Sequence, residues 1–173
     1  VRRWLYIAAL WTAGAYVLDV LVRPAVLARE ARKRADALGK PLLNVGAGTP
    51  RSSLRTVLFG PTLWGDVNCD ISTGVDGIEL CDIQQLPYTD KQFGAVIASH
   101  VVEHVADPAQ ALHELERVAD HVYAITPLWW APHTWFHPGH LWYRDQRGDF
   151  RRLRGAEAIP VRNRITVQEA TLT

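Results

Sequence analysis

Between Pro41 and Gly48 an apolar run, Leu42-Leu43-Asn44-Val45, goes straight into Gly46-Ala47-Gly48. Such a run reads as a buried strand whose end turns sharply and lets the backbone come close to a ligand, with N–H groups free to donate. Similar elements recur along the chain. Trp64 to Ile71 reads as a second strand with Asp70 near its end, 24 residues after Gly46, and Ile78 to Ile83 as a third carrying Asp82. Gly94 to Ser99 is a fourth, leading into His100, and Val122 to Ile125 a fifth. Between the last two, Ala109 to Ala119 places Ala111, Leu112, Leu115 and Val118 at helical spacing. This alternation predicts an α/β fold, a doubly wound and mostly parallel sheet that binds its ligand at the carboxyl edge.

With 48% apolar and 21% charged residues the chain is neither disordered nor collagen-like, and two cysteines make no disulfide framework. Its net charge of +1 hides an asymmetry. Residues 1–40 carry 8 Lys/Arg against 3 Asp/Glu, residues 41–143 carry 4 against 11, and residues 144–173 carry 7 against 4. An acidic middle repels a phosphate backbone, so nucleic acid is excluded as a partner.

Trp4 to Val22 holds nineteen residues with one charge, Asp19. At about 1.5 Å per residue it is just long enough to cross a hydrocarbon core about 30 Å thick. Trp4, Tyr6 and Tyr16 suit the interfaces, and the Arg and Lys residues from Arg23 to Lys40 predict a globular part facing the cytoplasm. Two other readings stay open. Asp19 fits a helix packed on the domain or lying on a surface, and Ala13-Gly14-Ala15 resembles a signal-peptide cleavage site. Arg23-Pro24 is expected to break the helix, with a second, basic helix from Ala25 to Leu38 closed by Gly39. Residues 1–40 are thus read as a membrane-associated helix and basic linker, and residues 41–173 as the globular domain.

Three blocks, Asp82-Ile-Gln-Gln-Leu-Pro-Tyr, then Phe93-Gly-Ala-Val-Ile-Ala-Ser-His-Val-Val-Glu-His-Val, then Ala111-Leu-His-Glu-Leu-Glu-Arg-Val, carry a family likeness. Roughly from residue 41 to 128 the chain closely resembles the small class I S-adenosylmethionine-dependent methyltransferases of the kind called type 11. The resemblance implies a Rossmann-like methyltransferase fold with S-adenosylmethionine as cofactor. It also implies that Asn44, Gly46 and Gly48 line the methionine part, Asp70 holds the ribose hydroxyls, and Asp82 with the Ile83 backbone contacts the adenine. Ser99 and His100 would then lie where the methyl group meets its acceptor. Asn44 stands where the family usually has Glu or Asp, Pro50 replaces a frequent glycine, and Gly94 takes a position usually held by Asp. Ile159–Asn163 and Arg164–Leu172 are expected to form a compact hairpin, completing a sheet that is minimal or truncated at its C-terminal end.

His100 is the candidate general base for an acceptor hydroxyl. His100-Val-Val-Glu103-His104 also matches an inverted zinc-protease pattern, but the methyltransferase pattern already accounts for it, so no metal ligand is assigned. Leu128 to Tyr143 packs four Trp and three His into sixteen residues, which reads as an aromatic lid over the substrate, as rings packed on the domain or membrane interface, or, through His133, His137 and His140, as a metal site. His104, Trp130, His133, His137 and His140 are its candidate substrate residues. Cys69 and Cys81 are expected to be buried thiols in a reducing compartment. The reading is methyl transfer to a small, lipophilic or membrane-derived acceptor. Its alternative is a catalytically inactive methyltransferase-like subunit of a membrane protein complex.

Overall fold

The computed structural model describes residues 2–48, 64–72, 75–153 and 158–159. Pro50 and the strand expected over 164–172 lie outside them, as does all but Ile159 of the strand expected over 159–163.

The chain begins with α1 (Arg2–Tyr16), passes through one π-helical stretch (Val17–Val22) and continues as α2 (Arg23–Leu38). The break expected at Arg23-Pro24 does not occur. Pro24 sits in the first turn of α2, directly after the π-helical stretch, where the wider turn absorbs the missing N–H without stopping the helix. Gly39 ends α2 as a left-handed cap with φ +62°, its N–H bonding back to Ala35 and Asp36.

Five parallel strands follow: β1 (Leu42–Val45), β2 (Val67–Asp70), β3 (Glu79–Leu80), β4 (Phe93–Ser99) and β5 (Ala119–Ile125), in the order β3-β2-β1-β4-β5. A helix, α3 (Pro108–Val118), precedes β5, and a five-residue α4 (Pro132–Phe136) follows it. A separate antiparallel sheet joins β6 (Trp142–Arg144), β7 (Phe150–Arg152) and β8 (Ala158–Ile159). The expected aromatic loop is therefore partly helix and strand.

Alternation along the strands explains the double winding. Leu42, Ala95, Ile97, Tyr123 and Ile125 turn to one face and pack on Ala28, Ala31 and Ala35 of α2. Leu43, Val45, Val96, Ala98 and Ala124 turn to the other and pack on Ala111, Leu112, Leu115 and Val118 of α3. The small residues of α2 let its backbone come close. A Cβ on Gly94 would lie 2.8 Å from Ala35 Cα, so glycine there is required by this helix crossing.

The α3 start is fixed by Asp107, whose carboxylate accepts from the N–H groups of Ala109 and Gln110, with Pro108 in the first turn. Strand β5 follows α3 directly, without a loop between Val118 and Ala119. Cys69 and Cys81 are joined in a disulfide, with Cα atoms 5.6 Å apart. This corrects the expectation of free thiols. The β2–β3 pairing sets Cys69 beside Glu79, and that adjacency places the two cysteines within bridging distance.

Candidate active site

The strand order reverses between β1 and β4, and the crevice outside their carboxyl ends is where such sheets bind ligands. Val45 pairs with Ala98, which puts Gly46 and Ser99 side by side at that edge. Gly46 and Gly48 have φ +74° and +82°, a region that side chains disfavour. A Cβ on Gly46 would also run into the Val101 side chain. The loop is bent toward β2: Gly46 N–H and Ala47 N–H donate to the Cys69 carbonyl at 2.8 and 3.2 Å.

Gly48 N–H donates to Asp70 Oδ2 at 2.9 Å, and Asp70 Oδ1 accepts from Ser72 N–H and Oγ–H at 3.0 and 3.2 Å. Gly46, Gly48 and Asp70 thus form one organised edge. Ser99 Oγ is buried at the neighbouring strand end, with no hydrogen-bond partner among the described residues. Asp82 lies beyond β3, exposed, with Oδ1 accepting from Gln84 N–H at 2.8 Å, and Ile83 is buried in the core beneath it. Asn44 is buried within the sheet, where its Nδ2 donates to Asn68 Oδ1 at 3.1 Å.

His100 takes the unusual φ of +56° at the end of β4. Its Nε2 lies 3.2 Å from the Asp19 backbone carbonyl and its Nδ1 3.4 Å from Glu103 Oε1. Burial pulls the imidazole pKa down, but the nearby Glu103 carboxylate and the oxygens of Asp19 outweigh it and raise it above the ordinary value. Both ring nitrogens face acceptors, so this arrangement holds a proton rather than offering a lone pair to a substrate.

The helix residue that organises this edge is Asp19, which is fully buried. Its carboxylate pairs with Arg23, accepts from Leu128 N–H at 2.9 Å and lies 2.8 Å from His133 Nε2. Arg23 also reaches the Thr126 carbonyl at 3.3 Å. Trp130 packs on Trp11 with ring centres 5.6 Å apart, and His133 meets the edge of Tyr16. Two of the expected substrate residues, Trp130 and His133, therefore bind the helix to the domain. The signal for this was present in the sequence: one carboxylate in an apolar run persists only if it is paired.

The other three expected substrate residues gather elsewhere. His104, His137 and His140 bring their ligating nitrogens within 4.8 Å of one another, beside buried Glu103. Burial lowers the pKa of both His137 and His140 below the ordinary imidazole value. Beyond them a cleft of about 490 Å³ opens between the aromatic segment and the small sheet, lined by Trp129, Trp135, Tyr143, Asp145, Gln146, Arg147 and Arg151.

Residues 67–121 match the family model described as "Methyltransferase domain". This match over about a third of the chain, on an open parallel α/β sheet, is a similarity to methyltransferase domains and agrees with the resemblance read from the sequence. The solved structures similar to this chain include the [4+2]-cyclase SpnF, with 23% identity over 54% of this chain and 40% of that one and a TM-score of 0.36. A methyltransferase from Bacillus halodurans, described as putative in its title, shows 19% identity over 53% of this chain and 46% of that one, TM-score 0.34. A methyltransferase from Thermotoga maritima, described as a possible histamine N-methyltransferase, shows 19% identity over 63% and 56%, TM-score 0.34. The chain spans about half the length of these structures. No curated protein matches it.

Proposed function

We propose that this chain binds S-adenosylmethionine at the β1–β4 crevice and transfers its methyl group to a lipophilic acceptor at a membrane surface. The observation that carries the reading is the joined edge of Gly46, Gly48 and Asp70 beside a buried, unpartnered Ser99 hydroxyl. These residues fit the cofactor. Two positive-φ glycines leave room for its amino-acid part, the Asp70 carboxylate is a paired acceptor for ribose hydroxyls, and Ser99 has a hydroxyl to spare.

Bound S-adenosylmethionine supplies an electrophilic methyl group. The protein's part is to hold the acceptor in line and exclude water, a matter of proximity more than of proton transfer. His100 has both ring nitrogens against acceptors at the strand end, so it positions this edge rather than taking a proton from the acceptor. To act as general base it must leave the Asp19 carbonyl and present an unprotonated Nε2 to the acceptor.

The word lipophilic rests on the N-terminal helix. Arg3–Leu38 is long and apolar enough to cross a membrane, and little of its apolar stretch is buried. Trp4, Leu5, Tyr6, Ile7 and Leu10 are exposed, and so are Trp129, Trp135 and Phe136 of the segment packed beside it. An exposed apolar surface of this extent fits a bilayer with aromatic rings at its interface. Asp19 fastens the helix at the carboxyl edge, so an anchor of this kind opens the crevice toward lipid. The basic residues of α2 support a cytoplasmic orientation.

Calorimetry on the full chain in detergent tests the cofactor, with Asp70→Ala expected to weaken binding at least tenfold. Absence of binding overturns methyl transfer and favours the inactive subunit of a membrane complex, which the occupied His100 ring also suits. Co-flotation with liposomes tests the anchor separately.

A further inference from the structure

We infer that Glu103, His104, His137 and His140 form a binding site for one divalent metal ion of the zinc type. This goes beyond methyl transfer and does not depend on it.

Two of the histidines are already set as ligands. His104 Nδ1 lies 2.8 Å from the Gly139 carbonyl and His140 Nδ1 2.9 Å from the Thr134 carbonyl. A carbonyl accepts only, so each Nδ1 carries the proton and each Nε2 keeps its lone pair, the tautomer that a backbone carbonyl imposes on a metal-bound histidine. Both Nε2 atoms face the same oxygen, Glu103 Oε1, at 3.9 and 4.0 Å. About 3.4 Å separates donor atoms in a tetrahedral site with bonds of about 2.0–2.1 Å. Small ring rotations close the difference.

The independent observation is Glu103 itself. It is fully buried, and among the described residues neither carboxylate oxygen accepts a hydrogen bond. His100 Nδ1 lies 3.4 Å from Oε1, and Oε1 is the atom the Nε2 atoms of His104 and His140 face. Oε1 is the acidic ligand atom that the histidine cluster surrounds, and a bound cation gives this buried carboxylate a partner among them. His137 is the member that must turn to complete the set. Its ring stacks on His140, and either of its nitrogens enters only by giving up the 3.2 Å bond that Nδ1 accepts from Gly139 N–H.

Only half of the His-x-x-Glu-His pattern takes part. Glu103 and His104 lie in the 3-10 turn after β4, whereas His100 is turned by its positive φ toward Asp19. The remaining ligands come from the turn before β6. Leu141 N–H already bonds the Glu103 carbonyl at 2.9 Å, and Trp142 Nε1–H the Val105 carbonyl at 3.0 Å. Three nitrogens and one oxygen from the protein make a closed set, the mark of a structural ion that holds the aromatic segment against the end of β4.

The test is metal analysis of the full chain, purified in detergent without chelator or metal-affinity resin. We expect one zinc per chain, and micromolar zinc restoring it after EDTA treatment. His104→Ala, His140→Ala and Glu103→Gln should each weaken zinc binding at least tenfold, with His113→Ala, on exposed α3 surface, unchanged. Cobalt loaded into the unmutated chain should show the intense visible bands of a tetrahedral site, a readout that stands even if a variant misfolds. No zinc uptake at micromolar concentration, uptake unaltered in the His104 and His140 variants, or an octahedral cobalt spectrum overturns the site.

Discussion

The carboxylate of Asp19 lies 2.8 Å from Nε2 of His133, 114 residues further along the chain. This pair, with Arg23 and the Leu128 N–H on the same carboxylate, fastens an apolar helix to the sheet edge where the crevice opens. Asp19→Ala leaves a half-buried guanidinium, an imidazole and an amide without their acceptor. The expected loss is about 1.5–3 kcal/mol, with faster hydrogen exchange at the Leu128 amide. An unchanged urea midpoint and unchanged exchange would show that the helix is held by other contacts.

Gly46→Ala puts a methyl group into the Val101 side chain at a φ of +74°. Backbone strain of this kind costs about 1–3 kcal/mol. Calorimetric titration should show weaker S-adenosylmethionine binding than in the unmutated chain. Adding Val101→Ala should recover part of the stability but not all, because the φ penalty remains.

Glu114 carries the pH prediction. Its carboxylate takes two bonds of 2.8 Å from Arg117 and one of 2.9 Å from Leu86 N–H, and the Arg117 bonds foremost hold its pKa below the ordinary value. A carboxyl depressed in the folded state gives stability that is present above the unfolded pKa, about 4.3, and lost as pH falls through the lower folded value. Glu114→Gln should therefore destabilise at pH 7 by about 1.5–3 kcal/mol. It should also flatten the acid limb of a plot of urea midpoint against pH, and a limb of unaltered slope would assign the acid sensitivity to other carboxylates.

The Cys69–Cys81 bridge closes a 12-residue separation, for which chain-entropy arguments give about 3 kcal/mol. Thiol titration of the unfolded chain without reductant should find no free thiol, and Cys81→Ser should lower the melting temperature. The fraction oxidised in cells reports the compartment directly. A disulfide persists on the oxidising side of a membrane, whereas the basic flanks of the N-terminal helix point to the cytoplasmic side.

Much of the candidate site could be read before any coordinates. Gly46, Gly48 and Asp70 were legible because a strand running into glycine and a strand ending in a carboxylate are local patterns, set by φ and by alternation within a few residues. The two roles of the histidines were not. Trp130 and His133 meet Trp11, Tyr16 and Asp19 more than a hundred residues away, and nothing local distinguishes a ring that lines a substrate cleft from one that packs on a helix. Gly94 likewise looked like a departure from a family pattern until α2 was seen lying across it.

By itself, then, the sequence determined the parallel α/β sheet, the order of its strands along the chain, the glycine and aspartate edge of the crevice and the apolar N-terminal helix. All of these follow from periodicity and short-range backbone preference. Tertiary structure alone decided that the helix runs unbroken through Pro24, that Asp19 fastens it at the strand ends, that the two cysteines bridge, and that Glu103 sits unpartnered among three histidines. Each of these is a pairing of polar groups or sulfur atoms across distant segments. Their formation is governed by which groups burial brings together, a property of packing that no local pattern encodes.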